Sequence, residues 1–358
     1  MKNLIKISTI ITVFFGFFLN SAYADPKKIG FIYIGPPGDH GWTYQHDQGR
    51  KDMASALGDN ITTTYLENIP ENADAVRAIR KLAASGHDLI FTTSFNYMDQ
   101  TLEVAKEFPD VKFEHATGYM RADNVSTYGA RFYEGRVIEG HLAGHLTKTN
   151  TIGYIASFPI PEVIRGINAF YLAASKVNPD IKIKIIWAFT WYDPGKEADA
   201  ANTLINQGAD IIVQHTDTFA PCQAAEKAGV MAFGQASNQS HFCPNAHITA
   251  IIDDWGPYYT QRAKDLVDGS WSSGDTWGGM NTGMVAMAPY NSKLVPSSLI
   301  QEAINMEVAL KDGTIHAFEG PIYNQAGELV VPAGEVADDG MLLGMSFYVQ
   351  GIDGDIPQ

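Results

Sequence analysis

The stretch FIYIGPPGDHGWTYQHDQG, Phe31 to Gly49, decides how the rest of this chain is read. The apolar run Ile29 to Ile34 reads as a buried strand. A turn rich in Gly and Pro follows, and from Trp42 onward the spacing is helical. In an open α/β sheet, the loop after the first strand lies at the carboxyl edge, where ligands bind. Here that loop brings Asp39, His40, Trp42, Thr43 and Tyr44 to one place. An indole at a helix start, beside a Gly-rich turn, offers a flat face to a flat ligand. It is equally the kind of residue that packs beneath its own helix, and the rest of the chain has to choose between the two.

Outward from this stretch, strands and helices alternate. Strands are expected at Ile29–Ile34, Ile61–Leu66, Leu89–Thr93, Lys112–Ala116 and Val125–Gly129, with helices at Trp42–Leu57, Asn72–Ser85 and Met98–Glu107. The pattern then restarts. Helices at Tyr133–Leu146, Pro161–Val177, Glu197–Gly208 and Ala220–Gly229 interleave with strands at Thr151–Ala156, Lys182–Phe189, Asp210–His215, Val230–Gln235 and Ile248–Ile252. Such alternation predicts an α/β fold with mostly parallel sheets and helices on both faces. Two units of similar size predict two lobes with a ligand between facing carboxyl edges. After Asp254 come a helix at Pro257–Val267, a stretch rich in Gly, Trp and Ser at Gly269–Gly283, a strand at Met284–Ala288, a helix at Ser298–Leu310 and a hairpin across Asn324–Gly327. The expected division is residues 25–128 plus 254–282 for the first lobe and 129–253 plus 283–358 for the second.

The chain opens on Lys2 and Lys6, an apolar run from Ile7 to Leu19, and Ala22-Tyr23-Ala24. This is the pattern of a secretory signal peptide, residues 1–24, and its apolar run is too short to span a bilayer. It carries no cysteine, so no lipid anchor is expected and the mature protein is placed in a periplasm. Removing the leader takes Lys+Arg from 25 to 23 against 40 acids, so the net charge moves from −15 to −17. That charge repels nucleic acid. The mature 334 residues, 358 less 24, exceed one ordinary core. The two cysteines, Cys222 and Cys243, suit a disulfide in an oxidising compartment better than a metal site.

The loops after the strands collect aromatics beside amides and carboxylates: Phe95-Asn96, Ser157-Phe158, Trp191-Tyr192-Asp193, Asp217-Thr218-Phe219 and Gly234-Gln235. The repetition at one edge of both sheets suits a planar, polar, aromatic ligand, stacked and bonded at its edge. Asp217 suits an exocyclic amino group as acceptor, although it is also placed to cap the helix that follows. His141 and His145 have metal-ligand spacing, but HLAGH lacks the glutamate of a zinc-protease motif and reads as a helix face. No metal and no cofactor are expected.

These residues resemble the basic membrane protein family of ABC-transporter substrate-binding proteins, which includes purine nucleoside receptors. The resemblance rests on Gly38-Asp39-His40-Gly41-Trp42-Thr43, on Asn124-Val125 leading to Phe132-Tyr133-Glu134-Gly135, and on Gly140-His141-Leu142-Ala143-Gly144. Thr147 to Tyr154, Asn178-Pro179 and Gln207 to Ile212 extend it over nearly all of the mature chain. It implies a two-lobed periplasmic binding protein of type I that delivers a purine or nucleoside to a permease in the inner membrane. Trp42 falls at the family's stacking aromatic, and Thr43 replaces the asparagine that usually follows it. Phe219 or Phe158 is the candidate for the opposite face. The acid and lysine that read ribose hydroxyls in the family have no counterpart in Gly234–Gln239 or Ile251–Asp254, which favours a free base.

The expectation is therefore a monomeric, non-enzymatic carrier of an adenine-like purine, with a nucleoside carrier or a secreted nucleoside hydrolase as the rivals. Its ligand-binding residues are expected to be Asp39, Trp42, Thr43, Phe95, Asn96, Phe158, Trp191, Asp217, Phe219, Gly234 and Asp254.

Overall fold

Strand β1 spans Lys27–Ile32 and pairs in parallel with strands on both sides. It starts two residues before the apolar run because backbone pairing, not hydropathy, begins the ladder: Lys27 and Lys28 are already in register with Ile61 and Thr62. The computed structural model describes residues 25–358, so the signal peptide read in residues 1–24 lies outside the described residues.

After β1 come α1 (Trp42–Leu57), β2 (Ile61–Leu66), α2 (Ala73–Ala84), β3 (Leu89–Thr92), α3 (Met98–Glu107), β4 (Lys112–Ala116) and β5 (Val125–Ala130). The second series runs α4 (Tyr133–Leu146), β6 (Thr151–Ala156), α5 (Pro161–Val177), β7 (Lys182–Trp187), α6 (Pro194–Asn206), β8 (Ile211–Gln214), α7 (Ala220–Ala228), β9 (Met231–Gly234) and β10 (His247–Asp253). The chain ends with α8 (Gly256–Asp268), β11 (Asp275–Gly278), β12 (Val285–Met287), α9 (Ser297–Lys311), the hairpin β13 (Ile322–Tyr323) and β14 (Leu329–Val331), and α10 (Asp339–Leu343). No described helix is long and apolar enough to cross a membrane.

Two six-stranded sheets result, ordered β2-β1-β3-β4-β5-β11 and β7-β6-β8-β9-β10-β12. All pairings are parallel except that of β12 with β10. In both sheets the strand order reverses beside the first strand, between β1 and β3 and between β6 and β8. A crevice opens beyond the carboxyl ends at such a reversal. The chain passes between the sheets three times: at Arg131–Phe132, at Asp254–Trp255, and between β11 and β12. Residues Gly129 and Ala130 stay in the first sheet, two beyond the division expected at 128, because pairing with β11 continues through Gly278.

The departures from the sequence expectation are local. Strand β7 stops at Trp187 because Phe189 has a left-handed backbone, φ +51°, which no strand continues through. Helix α6 starts earlier than expected, at Pro194, because Asp193 caps it by accepting from the Lys196 N–H at 3.0 Å. Strand β11 arises in the Gly- and Trp-rich stretch, which shows no strand alternation. It is held by its ladder with β5 and by the Trp277 indole N–H donating to the Ala130 carbonyl at 3.1 Å. Cys222 in α7 and Cys243 in the loop before β10 form a disulfide with Cα atoms 5.9 Å apart.

Candidate ligand-binding site

The loop after β1 is built around Asp39. Its carboxylate accepts from the backbone N–H groups of Gly41 (2.9 Å), Tyr44 (2.9 Å) and Thr43 (3.0 Å), so it satisfies the first turn of α1. Burial pushes its pKa up to about 6, against the pull of these three donors. Thr43 closes the same turn, its buried hydroxyl accepting from the Gly35 N–H at 3.2 Å. The product of this local order is the position of Trp42. Its indole N–H donates to the Thr93 carbonyl at 2.6 Å, which ties it to the loop after β3. Its ring meets His46, Trp255 and Phe132 edge-on at 4.5, 5.6 and 5.9 Å between centroids. Phe132 and Trp255 lie on two of the crossings between sheets, so Trp42 is braced from the side where the chain crosses.

A partly enclosed cavity lies at the strand reversals of both sheets. The first sheet's loops contribute Trp42, Ser94, Phe95 and Thr117; the second sheet's contribute Glu162, Trp191, His215, Asp217 and Gln235. The aromatic walls come from both sides, and the polar groups gather on the second. Asp217 is buried, and no N–H or O–H of the described residues reaches its carboxylate. Burial first, then the nearby Asp39, Glu197, Glu71 and Asp253 carboxylates, hold its pKa well above the usual range. Burial pushes the pKa of His215 down, and its Nε2 lies 3.3 Å from Glu162. Gln235 is oriented by the buried Arg136 guanidinium, which donates to its amide oxygen and, at 2.6 Å, to Glu139. The Trp191 indole N–H is buried with no acceptor among the described residues. Such a site offers flat apolar faces, one free carboxylate acceptor and free donors.

Of the eleven residues expected to bind ligand, Trp42, Phe95, Trp191 and Asp217 line this cavity. Asp39 and Thr43 sit behind Trp42 as described. Asn96 is exposed and donates to Glu71 at 3.0 Å. Phe158 packs on Trp191 at 5.2 Å, and Phe219 stacks on Phe242 at 3.7 Å. Gly234 is buried where a Cβ would stand 2.8 Å from the His247 ring. Asp254 accepts from the Gly256 N–H at 3.1 Å and opens α8. Sequence reasoning left out Ser94, Thr117, Glu162, His215 and Gln235. Three of them stand in or beside the loops already singled out, Thr117 follows the end of β4, and Glu162 lies in the first turn of α5 and carried no signal.

The two sheets are closed over the cavity at its outer lip. The His40 carbonyl accepts from Ser237 and, at 3.3 Å, from Gln239. The His40 ring meets His241 at 5.1 Å and Phe242 at 4.9 Å. Gly41 lies flat against the Asp217 backbone, where a Cβ would stand 2.9 Å from the carbonyl carbon.

Two α/β lobes joined by three crossings and closed over a lined cavity define a solute-binding protein of the periplasmic type I fold. The chain belongs to the Bmp family, described as ABC transporter substrate-binding protein, PnrA-like, whose family model matches residues 26–319. It is 54% identical over 351 residues to a purine-binding protein of Brucella abortus (strain 2308), covering 98% of this chain and all of that one. It is 37% identical to a putative ABC transporter glucose-binding protein of Haloferax volcanii, covering 91% of this chain and 80% of that one. The fold is that of ABC transporter system solute-binding proteins from Aeropyrum pernix K1, with a TM-score of 0.70 at 17% identity over 81% of this chain and 93% of that one.

Proposed function

We propose that this protein captures a free purine base, adenine before guanine or hypoxanthine, between its lobes and delivers it to an inner-membrane permease. The observation that carries this is the unpaired Asp217 carboxylate in an aromatic cavity. Ionised, the group accepts from an exocyclic amino group and repels a keto oxygen, and that donor offsets the burial that otherwise favours its protonated form. Trp42, Phe95 and Trp191 suit a flat ring, and the purine-binding relative agrees in ligand class. The protein acts by closure rather than chemistry: lobe closure removes water from the ligand and creates the shape that the permease meets. It works as a monomer in the periplasm after removal of residues 1–24, its lobes hinging at the three crossings.

Calorimetry of ligand-stripped protein with adenine, hypoxanthine, adenosine and glucose tests this. Adenine should bind most tightly. Stacking contributes roughly 1–3 kcal/mol per face, so Trp42→Ala should weaken adenine by about tenfold to a hundredfold. Asp217→Asn should cost adenine more than hypoxanthine. Tighter binding of adenosine rejects the free base, glucose binding in place of purine rejects the ligand class, and consumption of a nucleoside substrate rejects a carrier.

A further inference from the structure

We propose that His141, His145 and Glu302 form a binding site for a zinc-class divalent cation on the second lobe, away from the ligand cavity. His141 and His145 stand one turn apart on α4, their rings 4.8 Å apart between centroids. Residues at this spacing share a helix face and point the same way. The third ligand comes from α9, which packs beside α4: Glu302, 161 residues further along the chain, places a carboxylate oxygen 3.2 Å from His141 Nε2. One donor atom of each residue lies within 4.8 Å of the other two.

The geometry is close to what a tetrahedral ion needs. With metal–ligand bonds of about 2.0–2.1 Å, neighbouring ligand atoms stand about 3.3–3.4 Å apart. The His141–Glu302 separation already meets this, and small rotations about exposed side-chain bonds bring His145 in. Two imidazoles and one carboxylate leave a fourth position for water. That donor set favours zinc, copper or nickel over magnesium or calcium, which take oxygen ligands. A hydrogen-bonded ion pair with Glu302 needs one imidazole only, whereas the cluster presents two. The helix pattern HLAGH lacks a catalytic glutamate, and the site is structural in kind. Bound metal would clip α9, which follows β12 after the last crossing, onto the helix that leads out of the first.

Titration of tag-free, chelator-treated protein with zinc chloride tests the site. Saturable binding of one ion is expected, with a zinc-dependent rise in the thermal midpoint. His141→Ala and His145→Ala should each weaken it beyond the roughly 10–100-fold that loss of an outer-sphere partner costs. Glu302→Gln should weaken it less than either. All three side chains lie outside the cleft, so adenine binding, measured in parallel, should be unchanged and reports that the variants fold. Unsaturable binding overturns the proposal. So does binding that survives in the double histidine variant, which would assign the ion to another donor set such as His40 and His241 at the cleft lip.

Discussion

Gly41 contributes nothing to the cavity wall, yet it sets how closely the lobes approach. It comes from the first lobe's loop and rests on the Asp217 backbone of the second. A methyl group there meets a peptide rather than a flexible side chain, so the contact is not relieved by a rotamer change. Gly41→Ala should hold the lip apart by a few tenths of an ångström or more and weaken ligand binding by about tenfold, equivalent to about 1.4 kcal/mol. The unliganded protein should unfold normally, since the strain exists only in the closed form. An affinity equal to the parent's would show that this contact does not limit closure. The same residue scale separates Trp42 from Asp39. Both are prominent in one short loop, but the first faces the cavity and the second spends its carboxylate on three backbone donors.

At the scale of elements, Glu197 in the first turn of α6 ties two loops together. Its carboxylate accepts from the Asp193 N–H at 3.0 Å and from Thr218, from the N–H at 3.1 Å and the hydroxyl at 2.7 Å. It thereby holds the turn that presents Asp217. Burial, offset by these donors, raises its pKa from 4.5 to about 7. Between those values the folded protein keeps a proton that the unfolded chain has lost. The stability this group contributes is therefore full below about 4.5 and is lost as pH rises through about 7. Glu197→Gln removes that dependence. From pH 5 to pH 8 the variant should gain stability relative to the parent by about 3 kcal/mol, read from urea unfolding at each pH. Parallel stability profiles would refute it.

The bridge between Cys222 in α7 and Cys243 in the loop before β10 closes a loop of 21 residues. A loop of that size gains about 3 kcal/mol by chain-entropy reasoning. Thiol titration of unfolded, unreduced protein should find no free thiol, and two would refute the bridge.

For the whole molecule, the arrangement of lobes explains why the cavity is one place although its lining residues span the chain. Each sheet reverses its strand order once, and the reversals face each other across the crossings. The crossings carry Phe132 and Trp255, whose rings pack against Trp42, so the proposed hinge and the proposed stacking face share one aromatic cluster. Lobe closure would move the lip where His40 meets Ser237 and Gln239 while leaving this cluster packed. A carrier of this kind must leave the cytoplasm before it works. Intact mass of the exported protein should correspond to a chain beginning at Asp25, and retention of residues 1–24 would refute the leader reading.

The chain's own residues determined the two-lobed α/β order, because apolar periodicity and helix punctuation are local properties. Helices α1, α4 and α5 begin and end where their spacing places them. The family was also legible, since its short anchors keep their order along the chain. Trp42, Phe95, Trp191 and Asp217 were readable as candidates, and line the cavity, because each follows a strand and breaks the local pattern. Tertiary structure alone decided the rest. Glu162, His215 and Gln235 each bring one polar group from a separate segment, and nothing in a local window distinguishes such a group from a solvated one. Asp39, Asn96 and Phe219 stand in the same loops, and only the tertiary structure shows that backbone donors, Glu71 and Phe242 engage them. Strand β11 has no alternation to announce it, because its place comes from hydrogen bonds to a strand 148 residues earlier, as in the Thr127–Asp275 pair.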